Sequence, residues 1–250
     1  MTLAAVAWVS SAAGSSPSPA GASGPPAPVA GADTAGRQLY LTGCSSCHGV
    51  DGAGSERGPS LRQAGGAAAY YYLSTGRMPL ADEQAQPRRK DPAYSPAEIG
   101  LLVEYVASLG GGPRLPHVDP AAGDLAQGGV LYRSNCAPCH TAAGIGGALS
   151  YGRAAPSLHS SGPLQVASAV RVGPGQMPKF GSETFDQEEL DSIVRYVQHL
   201  RAPPTPGGAA LGSAGPIPEG FVAWFFGVGA LVLAVLWIGK RQDQNRGRDG

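Results

Sequence analysis

The sequence carries Cys-x-x-Cys-His twice, at Cys44-Ser-Ser-Cys47-His48 and Cys136-Ala-Pro-Cys139-His140, and each copy belongs to a longer shared pattern. Gly36-Arg-Gln-Leu-Tyr40 precedes the first copy and Gly128-Gly-Val-Leu-Tyr132 precedes the second, at an offset of 92 residues. Further on, Gly58-Pro59-Ser60-Leu61 matches Ala155-Pro156-Ser157-Leu158, and Gly76-Arg77-Met78-Pro79 matches Gly175-Gln176-Met177-Pro178. Such a repeat implies two copies of one small unit rather than a single large core. Each copy closes on an amphipathic helix. Ile99, Leu102, Val103, Val106 and Leu109 recur at helical spacing in the first, and Leu190, Ile193, Val194, Val197 and Leu200 in the second. Ser95-Pro96-Ala97-Glu98 and Asp186-Gln187-Glu188-Glu189 supply matching capping boxes at their starts. No alternating strand pattern stands out, so both units read as mainly helical.

The four cysteines are all used by the two motifs, which leaves none for a disulfide framework. Cys-x-x-Cys-His is the attachment signal for c-type haem. Two sulfurs on one short turn reach the two vinyl groups of one porphyrin, and the next residue offers an imidazole to the iron. A structural zinc site would need the Cys pairs far closer together than Cys47 and Cys136 are, or a His pair beyond them. A thioredoxin-like motif would need a βαβ context, which is absent.

The iron's other face calls for a second ligand, and Met/His ligation is typical of electron-carrying cytochromes c. Of three methionines, one is Met1; Met78 and Met177 each precede a proline and the closing helix of their repeat. Either could be a core methionine, but their equivalent places in the repeat favour ligation. The candidate set is therefore Cys44, Cys47, His48 and Met78 for one haem, and Cys136, Cys139, His140 and Met177 for the other, with His48, Met78, His140 and Met177 on the irons. The carbonyls of Pro59 and Pro156 are candidates to accept the Nδ1 proton of the proximal imidazole; both prolines also stiffen their loops. Two protein ligands per iron leave no open position, so no catalytic residue is expected on this chain and outer-sphere electron transfer is the expected activity.

Units of this size rarely bury enough core alone, and covalent haem would complete them. Around them lie 38 glycines and 23 prolines, an excess that marks linkers. Residues 1–10 are apolar without a basic start and read as the remnant of an export signal, followed by a Pro/Gly/Ser linker. Phe221 to Gly239 is uncharged and 19 residues long, about 28 Å as a helix, which suits a membrane span. Trp224 and Trp237 sit near its ends, and Lys240 and Arg241 follow, which puts the tail in the cytoplasm and the repeats outside. The chain thus divides into a signal remnant and linker (1–33), a first unit (34–113), a linker (114–121), a second unit (122–201), a linker (202–219), a membrane helix (220–239) and a cytoplasmic tail (240–250). Lys plus Arg and Asp plus Glu are 18 each, a balance unlike that of a nucleic-acid-binding protein.

Other features carry weaker signals. His117, His159 and His199 read as loop or surface residues rather than ligands. Tyr70-Tyr71-Tyr72 is expected to pack against the first haem or the first core. Arg88-Arg89-Lys90 reads as a solvated loop that could meet an acidic partner. The acidic cluster from Glu183 to Asp191 reads as complement to a helix N-terminus rather than a docking patch.

Longer stretches resemble a known family. Ser74-Thr-Gly-Arg-Met78-Pro79, Arg89-Lys-Asp-Pro92, Gly146-Gly-Ala-Leu-Ser150, Gly173-Pro-Gly-Gln-Met177-Pro-Lys-Phe180 and Gly215-Pro-Ile-Pro-Glu-Gly220 resemble the dihaem cytochrome c subunit (cytochrome cc) of the actinobacterial cytochrome bcc complex, a menaquinol–cytochrome c reductase. The resemblance covers about residues 36–241. It implies a mainly α chain of two tandem cytochrome c class I-like haem domains plus one C-terminal transmembrane helix in the cell membrane. It implies two covalent haem c groups and three partners: a cytochrome b, a Rieske iron–sulfur protein and an aa3-type cytochrome c oxidase. The implied route runs from the Rieske cluster through both haems to the oxidase, in a respiratory translocase. The rival readings are a dihaem subunit of another membrane oxidase or dehydrogenase, and a dihaem peroxidase. Dihaem subunits of cbb3-type oxidases carry an N-terminal anchor, and a peroxidase needs a haem with an open position.

Overall fold

The computed structural model describes residues 32–80, 86–203 and 216–246. The export-signal remnant falls outside these residues, as do most of the linker at 202–219 and the end of the tail. The first repeat contributes α1 (Ala32–Gly43), α2 (Ser45–His48), α3 (Gly65–Ser74) and α4 (Pro96–Ser108). The second contributes α5 (Leu125–Asn135), α6 (Ala137–His140), α7 (Pro163–Val172) and α8 (Gln187–Arg201). Between α6 and α7 a two-residue ladder pairs β1 (Gly147–Ala148) with β2 (Ala154–Ala155), antiparallel. Two residues are too few to leave an alternation in the sequence. A final helix, α9, runs from Pro216 to Arg246.

The closing helices form as their sequences dictate. At α4 the Ser95 hydroxyl accepts from the Glu98 backbone N–H at 3.3 Å, and the Glu98 carboxylate accepts from the Ser95 N–H at 2.8 Å. At α8 Asp186 and Glu189 make the same exchange at 2.9 and 3.0 Å. Each box satisfies two backbone donors that a helix start otherwise leaves open. Ile99, Leu102, Val103 and Val106 are buried along α4, and Leu190, Ile193, Val194 and Val197 along α8. Two members of the acidic cluster are thus helix caps. A third, Asp191, is buried, and its carboxylate accepts from the Asp119 N–H at 2.8 Å. That bond ties the segment before α5 to α8.

In each unit the first and last helices cross at a glycine. A Cβ on Gly36 would lie 2.5 Å from the Leu101 carbonyl oxygen, and one on Gly128 would overlap the Ser192 carbonyl oxygen. These contacts are backbone to helix backbone, so no rotamer change could relieve them. Beside each crossing a tyrosine is fully buried: Tyr40 against Tyr105 with ring centroids 5.0 Å apart, and Tyr132 against Tyr196 at 5.3 Å.

The two units meet through equivalent helices, α3 against α7. Gln165 on α7 donates to the Ser74 carbonyl at 3.0 Å and lies 3.2 Å from its hydroxyl. Its own oxygen accepts from Arg89 at 2.9 Å, and Gln86 donates to the Ala154 carbonyl at 3.1 Å. Away from both units, Gly220–Arg241 of α9 is long and apolar enough to cross a membrane, with mean hydropathy 2.4 and none of it buried. The helix continues past the apolar run at both ends. The Arg241 guanidinium stacks over Trp237, 4.2 Å from the ring centroid.

Candidate functional site

Each Cys-x-x-Cys-His motif forms a single helical turn set off from the helix before it. The amide of Cys44 donates to the Tyr40 carbonyl at 2.8 Å, and the His48 amide donates back to Cys44 at 2.9 Å. In the second copy Cys136 donates to Tyr132 at 2.8 Å and His140 to Cys136 at 2.8 Å. Both cysteines and the histidine of a motif therefore sit around one turn. The buried tyrosine locks that turn from behind: Tyr40 donates to the Gly49 carbonyl at 2.6 Å, and Tyr132 to the Thr141 carbonyl at 2.8 Å.

The chain then doubles back through residues with positive φ, and the repeat shows again. Gly49, Gly52 and Gly54 have φ of 79°, 72° and 88°. Their counterparts Thr141, Gly144 and Gly146 have 63°, 72° and 87°. Thr141 thus holds a conformation that suits glycine and strains a β-branched residue. A Cβ on Gly54 would lie 3.0 Å from the carbonyl carbon of Pro59, and one on Gly146 would lie 2.8 Å from that of Pro156. These glycines let each proline segment close on its histidine. His48 Nδ1 lies 2.7 Å from the Pro59 carbonyl oxygen, and His140 Nδ1 lies 3.0 Å from that of Pro156.

A carbonyl only accepts, so Nδ1 must carry the proton in both rings, and Nε2 is left with a free lone pair. Burial, opposed by the bond to Pro156, moves the His140 pKa down, which favours the neutral, ligating imidazole. Burial also pushes the thiols up, Cys136 to about 11 and Cys44 in the same direction. Both act as neutral groups facing an apolar space.

Cys44, Cys47, His48, Pro59 and Met78 line one cavity, of about 130 Å³. Residues 81–85, which follow its rim at Leu80, lie outside the described residues. Cys136, Cys139, His140, Pro156 and Met177 line a second cavity, of about 660 Å³. That volume is in the range of small-molecule and cofactor sites. All eight candidate residues are therefore brought together in two sets of four, each with its proline. A thiol pair, an imidazole with its free nitrogen set and a thioether around an apolar space are the donors that covalent haem requires. His117, His159 and His199 line neither cavity.

Other expectations are corrected. Tyr71 and Tyr72 do not line the first cavity but the wall of the second, while Tyr70 packs on the first unit's core. Successive helical residues point about 100° apart, so three in a row cannot face one site. Arg88 and Arg89 are not only a solvated loop, since both line the second cavity with Arg77. Tyr40 and Tyr132, matched in the repeat, and Gly54 and Gly146, at the same offset, take structural roles that the pattern alone does not state.

Two helical units of this build define a c-type cytochrome. A family model for cytochrome c matches residues 34–110, and one for the cbb3-type cytochrome c oxidase subunit III matches residues 123–197. The chain is 43% identical over 215 residues to the cytochrome bc1 complex cytochrome c subunit of Mycobacterium tuberculosis (strain H37Rv), covering 82% of this chain and 77% of that one. It is 38% identical over 226 residues to that of Corynebacterium diphtheriae, covering 82% and 80%. A cbb3-type cytochrome c oxidase subunit of Azospirillum sp. is 29% identical over 187 residues, covering 66% and 61%. The chain belongs to the family of cytochrome bc1 complex cytochrome c subunits. As a cytochrome c, it takes covalently bound haem c.

Proposed function

We propose that the chain is a membrane-anchored dihaem electron carrier within a quinol–cytochrome c reductase. It accepts single electrons from a Rieske protein and delivers them to a terminal oxidase of the aa3 type. The carrying observation is the doubled set: each repeat places two cysteines, a histidine with Nδ1 held by a proline carbonyl, and a methionine around one cavity.

Cys44 and Cys47 would hold one haem by thioethers, and Cys136 and Cys139 the other. His48 and Met78 would ligate the iron of the first, and His140 and Met177 that of the second. When bound, haem supplies a one-electron iron couple, whose potential a thioether ligand raises. The residues around it fix that couple rather than transform a substrate. Pro59 and Pro156 hold the imidazole rings in one tautomer and one orientation. Tyr40 and Tyr132 hold the turn that carries the thioethers.

The first unit is taken as 34–113 and the second as 122–201, joined by 114–121. Residues 202–219 tether them to a membrane helix at 220–239. Lys240 and Arg241 then place the tail (240–250) in the cytoplasm and both haem units on the outer side. Cytochrome b and the Rieske protein are the partners within the complex, and the aa3-type oxidase accepts electrons beyond it.

Co-purification tests the reading. Native membranes extracted in mild detergent through a C-terminal tag should yield cytochrome b and a Rieske protein with this chain, and oxidase subunits beside them. Recovery with a dehydrogenase, or alone, would contradict it.

A further inference from the structure

The second cavity is not built by the second repeat alone. Tyr71, Tyr72, Arg77, Arg88 and Arg89 of the first repeat form part of its wall. With Arg153 they place four guanidinium groups around it, and no carboxylate lines it among the described residues. Among the described residues the first cavity is lined by one arginine, Arg57, and does not include Arg77.

Arg77 stands out among the four. It is 7% exposed, and its Nη1 is buried with no hydrogen-bond partner among the described residues. Its guanidinium lies over the Tyr71 ring, 4.9 Å from the centroid, which offsets only part of the cost of burying a charge. A buried arginine with a free donor calls for an anion. Arg89 is close enough for the Arg77 charge to help burial push its pKa down, so the two cations repel each other as they stand. The segment that carries Arg89 is held in place by the Gln86–Ala154 and Arg89–Gln165 bonds, so the cluster is fixed across the boundary between units. At the place equivalent to Arg77 the second repeat has Gln176. The charge is therefore not a requirement of the repeat's own fold.

Haem brings two carboxylates on its propionate arms. We propose that Arg77, with Arg89 beside it, binds the propionates of the haem attached to Cys136 and Cys139, so that the first unit completes the second unit's site. This rests on the reading that the second repeat carries a haem. The carboxylates satisfy the free Arg77 donor and separate the two like charges. Positive charge so close to a haem disfavours the ferric state, which carries one more positive charge than the ferrous. Arg77 thereby raises the potential of the haem in the other unit, although it is adjacent in sequence to Met78 of its own.

The test uses the full-length holoprotein in detergent and reads the midpoint potentials of both haems. A Met177→His form shows which wave belongs to the second unit. Arg77→Gln, which installs the side chain found at 176, should lower the second haem's midpoint and leave the first in place, with Arg77→Lys between it and the parent. Arg89→Gln, at an exposed position, should shift the same wave the same way by less. An unmoved second haem in both glutamine variants overturns the proposal, as does a shift confined to the first haem, which would make Arg77 a support for Met78. If Arg77→Gln yields no folded protein, Arg89→Gln decides alone. A parent chain with fewer than two covalent haems would instead overturn the dihaem reading beneath it.

Discussion

Replacing Met177 by histidine should lower the midpoint potential of one haem by tenths of a volt, within the ~0.8 V span that axial ligands set, and leave the other unchanged. A thioether is a soft, weakly donating ligand that favours ferrous iron. An imidazole donates more strongly and favours ferric iron. Met177 shares its cavity with His140 and both cysteines of its motif, and Met78 does so with His48, so Met78→His should move the other wave instead. Redox measurements followed in the visible absorption bands of the purified chain check both. Two waves that stay in place in either variant would show that the methionine is a packing residue and not a ligand.

Much of this site could be read from the sequence because covalent attachment demands a fixed local spacing. The Cys-x-x-Cys-His turn, the proline behind the histidine and the methionine each occur twice, once per repeat, and the repetition removed most of the ambiguity of any single residue. The closing helices were equally plain, since burial of Ile99, Leu102, Val103 and Val106 follows the helical period and a capping box marks the start. What could not be read is how one unit faces the other. Tyr71, Tyr72 and Arg77 serve the neighbouring unit's cavity, and such packing leaves no period and no motif. Charge runs in loops are usually solvated, and although Arg89 is exposed, its bond to Gln165, 76 residues away, and its place in the wall of the second cavity give it a further role. The repeat matches Tyr40 with Tyr132, but nothing in the pattern shows that their hydroxyls lock the turn; the match of Gly54 with Gly146 is legible once the loop after each motif is aligned at the same offset.

Removal of the second haem should unfold the second unit. In a Cys136→Ala/Cys139→Ala form the cavity of about 660 Å³ would lose its covalent occupant. An emptied cleft leaves its apolar lining either wet or collapsed, and both cost stability that a unit this small does not have to spare. Either outcome gives up the packing of Tyr132, Val166, Val170, Ile193 and Val197 around it. The expected result is loss of helical circular dichroism from the second unit and of its cooperative melting, with the first haem still attached and spectrally normal. The equivalent change at Cys44 and Cys47 should spare the second haem's attachment but, through the contact of α3 with α7, weaken its surroundings as well. A haem-free second unit that melts cooperatively at ordinary temperature would show that its core is sufficient without the cofactor.

The claim on which all of this depends is that each repeat carries its own haem. The haem-to-protein ratio of the purified membrane chain measures it directly, from the pyridine haemochrome spectrum set against the intact mass. Two covalent haems per chain are expected, falling to one when either cysteine pair is replaced. A ratio of one in the parent chain, or haem that is released on denaturation without cleavage of thioethers, would contradict it.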